Sequence, residues 1–159
     1  LKWMLKIILQ QIYMETQINP DQSNIKSKPD FKNAKYATGR RKRSIAKVWL
    51  KKGTGSIIIN GKKMIEYFKT PNLQSAIYRP LSFVKRENEY DVKCSVKGGG
   101  LSGQAGAIVL GMARVLVKFE PDLKSALKKE KLTTRDSRSV ERKKYGHRKA
   151  RRSFQFSKR

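Results

Sequence analysis

Two runs of cationic side chains carry the chemistry that this sequence shows most directly. Gly39-Arg40-Arg41-Lys42-Arg43 places four consecutive cations behind a glycine, and a second run extends from Arg142 to Arg152. The planar guanidinium group of arginine matches two phosphate oxygens at once, and lysine adds a point charge. We therefore predict that both runs bind phosphate groups of a nucleic acid. The alternatives are a solvated charged surface for the first run, and a nuclear-localisation signal or a solubilising tail for the second.

Aromatic side chains accompany the cations of the second run. The residues predicted to contact RNA there are Arg142, Lys143, Lys144, Tyr145, Arg148, Lys149, Arg151 and Arg152. Tyr145, Phe154 and Phe156 can stack on unpaired bases or wedge into RNA, while the cations neutralise phosphates. Thr133–Arg159 contains few aliphatic residues, so it cannot bury enough apolar surface to offset the entropy lost on ordering. We expect this segment to be disordered alone and to gain order on RNA.

A glycine-rich segment, Lys97-Gly98-Gly99-Gly100-Leu101-Ser102-Gly103-Gln104, follows a predicted strand and opens a predicted helix. Its Gly-x-Gly-x-x-Gly spacing occurs in dinucleotide-binding folds, where an acid such as Glu120 follows about twenty residues later. In those folds the acid ends a second parallel strand, whereas here one predicted helix fills the interval and Pro121 follows. We therefore expect no nucleotide cofactor. Two interpretations stay open: the helix N-terminus and Lys97 bind an RNA phosphate, or the glycines allow a tight turn and close helix packing.

The remaining reactive side chains form no catalytic constellation. Cys94 is the single cysteine, so an intramolecular disulfide is impossible, and the single histidine, His147, lies inside the second cationic run. The acidic residues show no organised pairing that would suit acid–base catalysis or metal binding. We predict a protein that is not an enzyme and that uses no cofactor, metal or small-molecule substrate.

The charge balance points to a polyanionic partner. The formal net charge is +26, from 38 lysines and arginines against 12 aspartates and glutamates. Such a chain repels itself unless a nucleic acid neutralises it. Its 159 residues suit one compact domain with appendages. Charge and apolar patterning divide it into an N-terminal extension and linker at 1–36, a globular domain at 37–131 and a basic tail at 132–159.

Alternation and periodicity place the elements of the globular domain. The predicted strands are Ser44–Leu50, Ser56–Asn60 and Tyr90–Val96. The first two form a hairpin around a turn at Gly53 and Gly55, with Ile45 facing inward and the first cationic run ahead of the first strand. The predicted helices are Met64–Phe68, Asn72–Val84 with an end or kink at Pro80, Leu101–Phe119 and Leu123–Lys131. Arg114, in the longest helix, either reaches solvent or contacts RNA.

An apolar stretch lies near the start of the chain. Trp3–Tyr13 is about a dozen residues long and Lys6 interrupts it, whereas a bilayer-spanning helix needs about twenty. We therefore predict no membrane span. The stretch either docks on a neighbouring protein as an amphipathic helix or is a leader that is removed or disordered.

Residues 36–159 resemble the family of small-subunit ribosomal protein nine, in its bacterial or organellar form. The resemblance rests on ordered motifs: Thr38-Gly39-Arg40-Arg41-Lys42, Asn60-Gly61-Lys62, Tyr67-Phe68, Gly98-Gly99-Gly100-Leu101-Ser102-Gly103-Gln104-Ala105, Arg135-Asp136, Glu141-Arg142-Lys143-Lys144 and Gln155-Phe156-Ser157-Lys158-Arg159. Three positions depart from the usual family pattern: Val109 stands where arginine is frequent, and Ser137 and Tyr145 stand where proline is common.

This resemblance implies a fold and a role. The fold is α+β: a two-layer α/β sandwich with a mainly antiparallel sheet and helices on one face, like the second domain of small-subunit ribosomal protein five, plus a long extended basic tail. The role is that of a structural constituent of the small-subunit head that binds ribosomal RNA (rRNA) and neighbouring small-subunit proteins. Arg135 belongs to the rRNA-binding set. Ser157, Lys158 and Arg159 approach transfer RNA (tRNA) in the peptidyl site.

Two further expectations concern the ribosome to which the protein belongs and the function that competes with the ribosomal one. The extension at 1–36 is not part of the family pattern, and the chain is rich in lysine, isoleucine and asparagine. These features favour a mitochondrial ribosome, with the bacterial cytoplasm as the alternative. The competing function is a free regulator that binds particular RNAs through the same basic tail.

Overall fold

The computed structural model describes Phe31 and residues 33–158. Its elements in chain order are β1 (Lys35–Arg41), β2 (Ser44–Lys52), β3 (Ile57–Ile59), β4 (Lys62–Lys63), α1 (Met64–Tyr67), α2 (Pro71–Val84), β5 (Tyr90–Lys97), α3 (Leu101–Phe119) and α4 (Leu123–Lys129). Within these residues the fold is mixed α+β, with an open five-stranded sheet and four helices. The predicted docking helix at Trp3–Tyr13 lies outside the described residues.

The strand order corrects the predicted hairpin. The sheet runs β1-β2-β5-β3-β4, and only the β3–β5 pair is parallel among the described strands. The predicted pairing of Ser44–Leu50 with Ser56–Asn60 is therefore wrong, because Val92 of β5 pairs with Leu50 on one side and with Ile57 on the other. The glycine-containing turn between β2 and β3 instead passes around the start of β5. There the Asp91 carboxylate accepts hydrogen bonds from two of the turn's backbone amides.

The hairpin that does form lies one element earlier. Lys35–Arg41 is strand β1 and pairs with β2 across a two-residue turn, so the first cationic run forms the end of a strand and a turn instead of preceding the first strand. The prediction that Ile45 faces inward is also wrong, since its side chain is exposed while Ala46, Val48 and Leu50 are buried. Side chains alternate between the two faces of a strand, so Ile45 faces solvent because the even-numbered residues Ala46, Val48 and Leu50 face the core.

Helix α3 confirms the predicted Leu101–Phe119 and packs closely against the first two strands. A Cβ atom added to Gly39 would lie 1.9 Å from the carbonyl oxygen of Ala107, and one added to Gly111 would lie 2.6 Å from a methyl group of Val48. The backbone of Ala107 and the side chain of Val48 therefore fill the space that a side chain at Gly39 or at Gly111 would need. Among the described helices α3 alone is long and apolar enough to cross a membrane, but 56% of its apolar window is buried inside the fold, as in a core helix.

Helix α2 contradicts one of the two alternatives expected at Pro80, namely that the helix ends there. It continues past Pro80 to Val84, so the proline does not end it. Pro80 is buried, and its ring adds to the packed surface in compensation for the lost backbone hydrogen bond. The helix ends at Val84, and the left-handed φ of 58° at Lys85 lets the following amide, that of Arg86, donate to the carbonyl of Leu81 at 3.1 Å.

Glu120, the acid that lies about twenty residues after the glycine-rich segment, has a structural role. The carboxylate of Glu120 accepts a hydrogen bond from the hydroxyl of Tyr90 at 3.0 Å and forms an ion pair with Arg86. Burial is the main cause that raises the pKa of Tyr90, so the hydroxyl keeps the proton it donates. This cluster joins the end of α3 to the start of β5 and to the loop before it.

Candidate nucleic-acid interface

The first cationic run forms the corner between β1 and β2. Arg41 pairs with Ser44 in the register, which leaves Lys42 and Arg43 as the turn residues. Lys42 adopts a left-handed φ of 51°, a conformation in which a non-glycine residue is strained. Arg40, Lys42 and Arg43 are exposed. The turn thus presents three cations to solvent at one corner of the sheet.

The glycine-rich segment lies directly against this turn. The Ser44 hydroxyl, which is 1% exposed as a residue, donates to the carbonyl of Gly98 at 3.0 Å. A Cβ atom added to Gly98 would lie 2.7 Å from the carbonyl oxygen of Arg43, and one added to Gly99 would lie 2.2 Å from the Ser44 hydroxyl. Gly98 and Gly99 also have left-handed φ values of 75° and 63°. Both glycines are therefore required for the turn and its close packing.

Gly100 differs from its two neighbours. It is the N-cap residue of α3, and no side chain caps the helix start. A Cβ atom added there would meet no atom within 4 Å, so packing does not require a glycine at this position. Lys97, at the end of β5, is exposed and pairs with Ile45 beside the turn. The uncapped helix start and Lys97 form one electropositive corner with the cations of the turn.

Arg41 has a different environment from the other cations of its run. Its aliphatic stem lies against Gly106 of α3, where an added Cβ atom would be 2.2 Å from the Arg41 Cδ atom. Its guanidinium pairs with Asp136 at 3.1 Å, while its Nε atom is buried and has no hydrogen-bond partner among the described residues. Side-chain and backbone hydrogen bonds from Arg138 hold the pKa of Asp136 well below its usual range, and the charge of Arg41 adds to this effect. Arg41 therefore anchors the start of the tail to the sheet.

Arg114 is an exposed residue of α3 whose side chain contacts the backbone of β1. Its Nη1 atom donates to the carbonyl of Thr38 at 3.1 Å. One turn further along, Lys118 donates to the carbonyl of Tyr36 at 2.7 Å, and Lys35 returns a bond to the carbonyl of Lys118 at 2.8 Å. The first two bonds use carbonyls of β1, an edge strand of the described sheet, and the third uses a carbonyl of α3. The guanidinium of Arg114 remains exposed beside them.

Three cations that the sequence did not single out lie near Arg40 and Arg41. Arg79 comes from α2, Lys131 follows α4, and Arg138 belongs to the tail, and all three line a cavity of about 500 Å³ together with those two arginines. Arg79 pairs with Glu130 at 3.0 Å. No sequence spacing connects these residues, because each lies on a different element and only the fold brings them together.

Residues 133–158 contain no helix or strand and expose most of their side chains. The predicted tail residues that are exposed there are Arg135, Arg142, Lys143, Lys144, Tyr145, Arg148, Lys149, Arg151, Arg152, Ser157 and Lys158. Arg151 is the one among them with an ion pair, to Glu141 at 2.6 Å, within the described part of the chain. Arg159 lies outside the described residues.

The structure brings one group of the predicted residues together and leaves Arg114 apart from it. The turn residues and the glycine-rich segment form one corner, and the Arg41–Asp136 ion pair holds the start of the tail beside it. Arg114 lies apart from this corner, on the α3 face that contacts β1. In a comparison with known protein families, residues 39–159 match the family described as ribosomal protein S9/S16. The match includes the turn, the glycine-rich segment and the whole tail.

Proposed function

This chain belongs to the ribosomal protein S9 family, a family of structural proteins of the small ribosomal subunit that are generally not enzymes, and we propose that it binds rRNA in the subunit head through its cationic corner and tail. We further propose that the end of its tail contacts tRNA in the peptidyl site. The neighbouring small-subunit proteins are its other partners.

The observation that carries the rRNA proposal is the junction at the β1–β2 turn. Gly98 and Arg43 are in close backbone contact, and Asp136 attaches the tail to Arg41 of the same hairpin. The exposed cations of the turn are therefore continuous with those of the tail. The phosphates along an RNA backbone can contact such a surface over its whole length, and each phosphate that a lysine or arginine neutralises releases counterions.

The chemistry of the tail supports binding to RNA backbone over reading of sequence. Residues 132–159 hold 11 lysines and arginines against 2 acids. Guanidinium and ammonium groups contact phosphates of any sequence, so they fix position and register but carry no base preference. The tail would order along RNA because the polyanion supplies both a path and counter-charges.

The proposal for the tRNA contact rests on the family resemblance at the C-terminus. Ser157 and Lys158 are exposed at the end of the described tail, and Arg159 follows them in the sequence. A lysine and an arginine at the end of an extended chain can grip a tRNA phosphate, with the Ser157 hydroxyl as an additional donor. Such a grip would hold tRNA without reading its sequence.

We propose that this protein functions in a mitochondrial ribosome, with the bacterial cytoplasm as the alternative setting. The support is the segment at 1–36, which lies before the family match at 39–159, and the amino-acid composition. In this setting Trp3–Tyr13 would dock on a neighbouring ribosomal protein. Deletion of residues 1–18 would then lower occupancy in the small subunit, and unchanged occupancy would contradict the docking.

Sedimentation of the native protein tests the ribosomal role. A mitochondrial extract, with whole-cell extract in parallel, would be run through a sucrose gradient after a moderate-salt wash. Near-stoichiometric migration with the small subunit is the expected result. Migration mainly in the light fractions would contradict the proposal and favour a free RNA-binding regulator.

Removal of the last two residues tests the tRNA contact. Deleting Lys158 and Arg159 removes two positive charges from the tail, and the matched control Lys62→Ala with Lys63→Ala removes two exposed charges from strand β4. We expect the deletion to weaken tRNA binding at the peptidyl site with little effect on subunit assembly, and the control to leave tRNA binding unchanged. Equal tRNA affinity of the deletion and the control across a salt series would contradict the proposed contact.

A further inference from the structure

Residues 141–154 of the tail fold back on themselves. Glu141 and Arg151 form a two-point ion pair, with Oε2 3.0 Å from Nε and Oε1 2.6 Å from Nη2. Inside this closure the amide of Arg148 donates to the carbonyl of Arg152 at 2.8 Å. Hydrogen bonding from Arg151 lowers the pKa of Glu141, as expected for a carboxylate that the ion pair stabilises. These residues, 141–154, are called the tail loop below.

The tail loop has an inner and an outer side. His147 and Ala150 are half-buried in it, and the imidazole Nδ1 of His147 lies 3.3 Å from the hydroxyl of Ser153. The guanidinium of Arg148 lies over the ring of Phe154 at 5.3 Å from its centroid. One face of Phe154 therefore already has a cationic partner within the loop.

Tyr145 is the aromatic residue on the outer side. Its side chain is fully exposed, with a relative accessibility of 103%, and it precedes Gly146, whose left-handed φ of 71° turns the chain. No ring or cation lies against it among the described residues. Lys143 and Lys144 precede it, and both are exposed. The loop thus presents a free aromatic face between cations.

We propose that the tail loop is a closed RNA-binding element in which Tyr145 stacks on an unpaired base and the Glu141–Arg151 pair positions it. This inference rests on the proposed rRNA binding and adds to it the residue that stacks and the class of RNA that it takes. Phe154 has the different role of closing the loop with Arg148.

The physical reason for the choice of RNA lies in base accessibility. Bases within an A-form duplex are stacked on both sides, and side chains cannot enter its narrow major groove. An unpaired base offers a free face, and stacking on an aromatic ring contributes about 1–3 kcal/mol, which corresponds to roughly a fivefold or greater change in affinity. The rest of the tail would order only on RNA, whereas the tail loop, which is closed before binding, loses less conformational entropy when it contacts RNA.

Substitution of Tyr145 in the full chain tests the stacking. The probes are an oligouridylate of about ten nucleotides and a blunt RNA duplex with the same number of phosphates. Tyr145→Ala should weaken binding to the single strand about fivefold or more and leave duplex binding unchanged, whereas Tyr145→Phe should bind both like the original chain. Val140→Ala, which removes an exposed apolar side chain just before the loop, is the control. Equal affinities of Tyr145→Ala and the control for the single strand would overturn the stacking.

Substitution of Glu141 tests the closure. Glu141→Gln and the control Glu87→Gln each remove one negative charge from an exposed residue, so electrostatics alone predicts slightly tighter RNA binding in both. With the closure lost, Glu141→Gln should bind the single strand about two- to fivefold more weakly than Glu87→Gln, the range expected for an exposed ion pair. It should also lose hydrogen-exchange protection at the amide of Arg148 in the free chain.

The outcomes separate this inference from the proposed function. Identical RNA affinity and identical Arg148 exchange in the two glutamine variants would overturn the closure while leaving sedimentation with the small subunit intact. Migration of the original chain away from the small subunit, together with no affinity for either RNA probe, would overturn both proposals. Weaker single-strand binding by Tyr145→Ala and by Glu141→Gln, with normal sedimentation, would support both.

Discussion

The substitution Gly99→Ala tests the close contact between the glycine-rich segment and the β1–β2 turn. The added methyl group would lie 2.2 Å from the Ser44 hydroxyl and 3.2 Å from the Ser44 amide nitrogen, and the backbone would have to keep a φ of 63°. An alanine in the left-handed region costs roughly 1–2 kcal/mol. Displacing the buried hydroxyl from the carbonyl of Gly98 costs about 1–3 kcal/mol more, because a polar group loses its partner away from water.

The total for Gly99→Ala is therefore roughly 2–5 kcal/mol, which for a domain of this size lowers the melting temperature by roughly 10 °C or more. The assay is urea unfolding of the full chain, followed by far-ultraviolet circular dichroism, with a thermal scan in parallel. Gly100→Ala is the matched control, because its methyl group would meet no atom within 4 Å and its φ of −105° suits any residue. We expect that control to cost less than about 1 kcal/mol.

The same substitution in a Ser44→Ala chain separates the clash with the Ser44 hydroxyl from the strain of a left-handed alanine. In a Ser44→Ala chain the hydroxyl is absent, so Gly99→Ala should cost only the left-handed strain, roughly 1–2 kcal/mol. An equal cost of Gly99→Ala in both backgrounds would refute the contact with the hydroxyl. A cost of Gly100→Ala as large as that of Gly99→Ala would refute the steric argument as a whole.

Three further predictions concern stability and reactivity. The Cys94 thiol, whose pKa burial raises to about 12, should react with iodoacetamide at pH 8 only after unfolding; rapid labelling of the folded chain would contradict its burial. Gly39→Ala should destabilise the fold by more than about 3 kcal/mol in urea unfolding, since its methyl group would lie 1.9 Å from the carbonyl oxygen of Ala107; a loss below about 1 kcal/mol would contradict the packing of β1 on α3. The ion pairs of Asp136 with Arg138 and Arg41 should contribute fully to the free energy of unfolding above the ordinary carboxyl pKa of about 3.9. This contribution should be lost as the pH falls through the lowered pKa that Asp136 has in the folded chain. A ¹³C titration of the Asp136 carboxyl carbon with a midpoint near about 3.9 would contradict the ion pairs.

Much of the fold could be predicted from local patterns. Helix α3 begins and ends where its apolar periodicity does, and β5 matches its predicted span within one residue. The turn at Asn60-Gly61 has positive φ at both residues and joins β3 to β4, as an Asn-Gly sequence predicts. These features depend on neighbours in the sequence, so the sequence is enough to place them. Local patterns do not predict strand β1, because its cations and small residues mask the alternation of Ala37 and Gly39, which face the core.

The pairing of strands could not be predicted from those patterns. Strand β5 lies between β2 and β3 although it follows them by more than thirty residues, and the turn that suggested a hairpin is held by Asp91 instead. Apolar alternation says which face of a strand is buried but does not say which strand lies beside it. Non-local pairing is decided by the packing of the whole sheet on its helices.

The net charge, the family and the residue types that can bind phosphate are all readable from the amino-acid sequence, because they are properties of composition and ordered motifs. The role of each cation, in contrast, becomes visible only in the folded chain. Arg41 anchors the tail through Asp136 while its neighbours in the same run stay exposed, and Gly99 is required by packing while Gly100 is not. The physical reason is that a side chain's role depends on the atoms that the fold brings within about 4 Å of it, and sequence spacing does not specify those atoms.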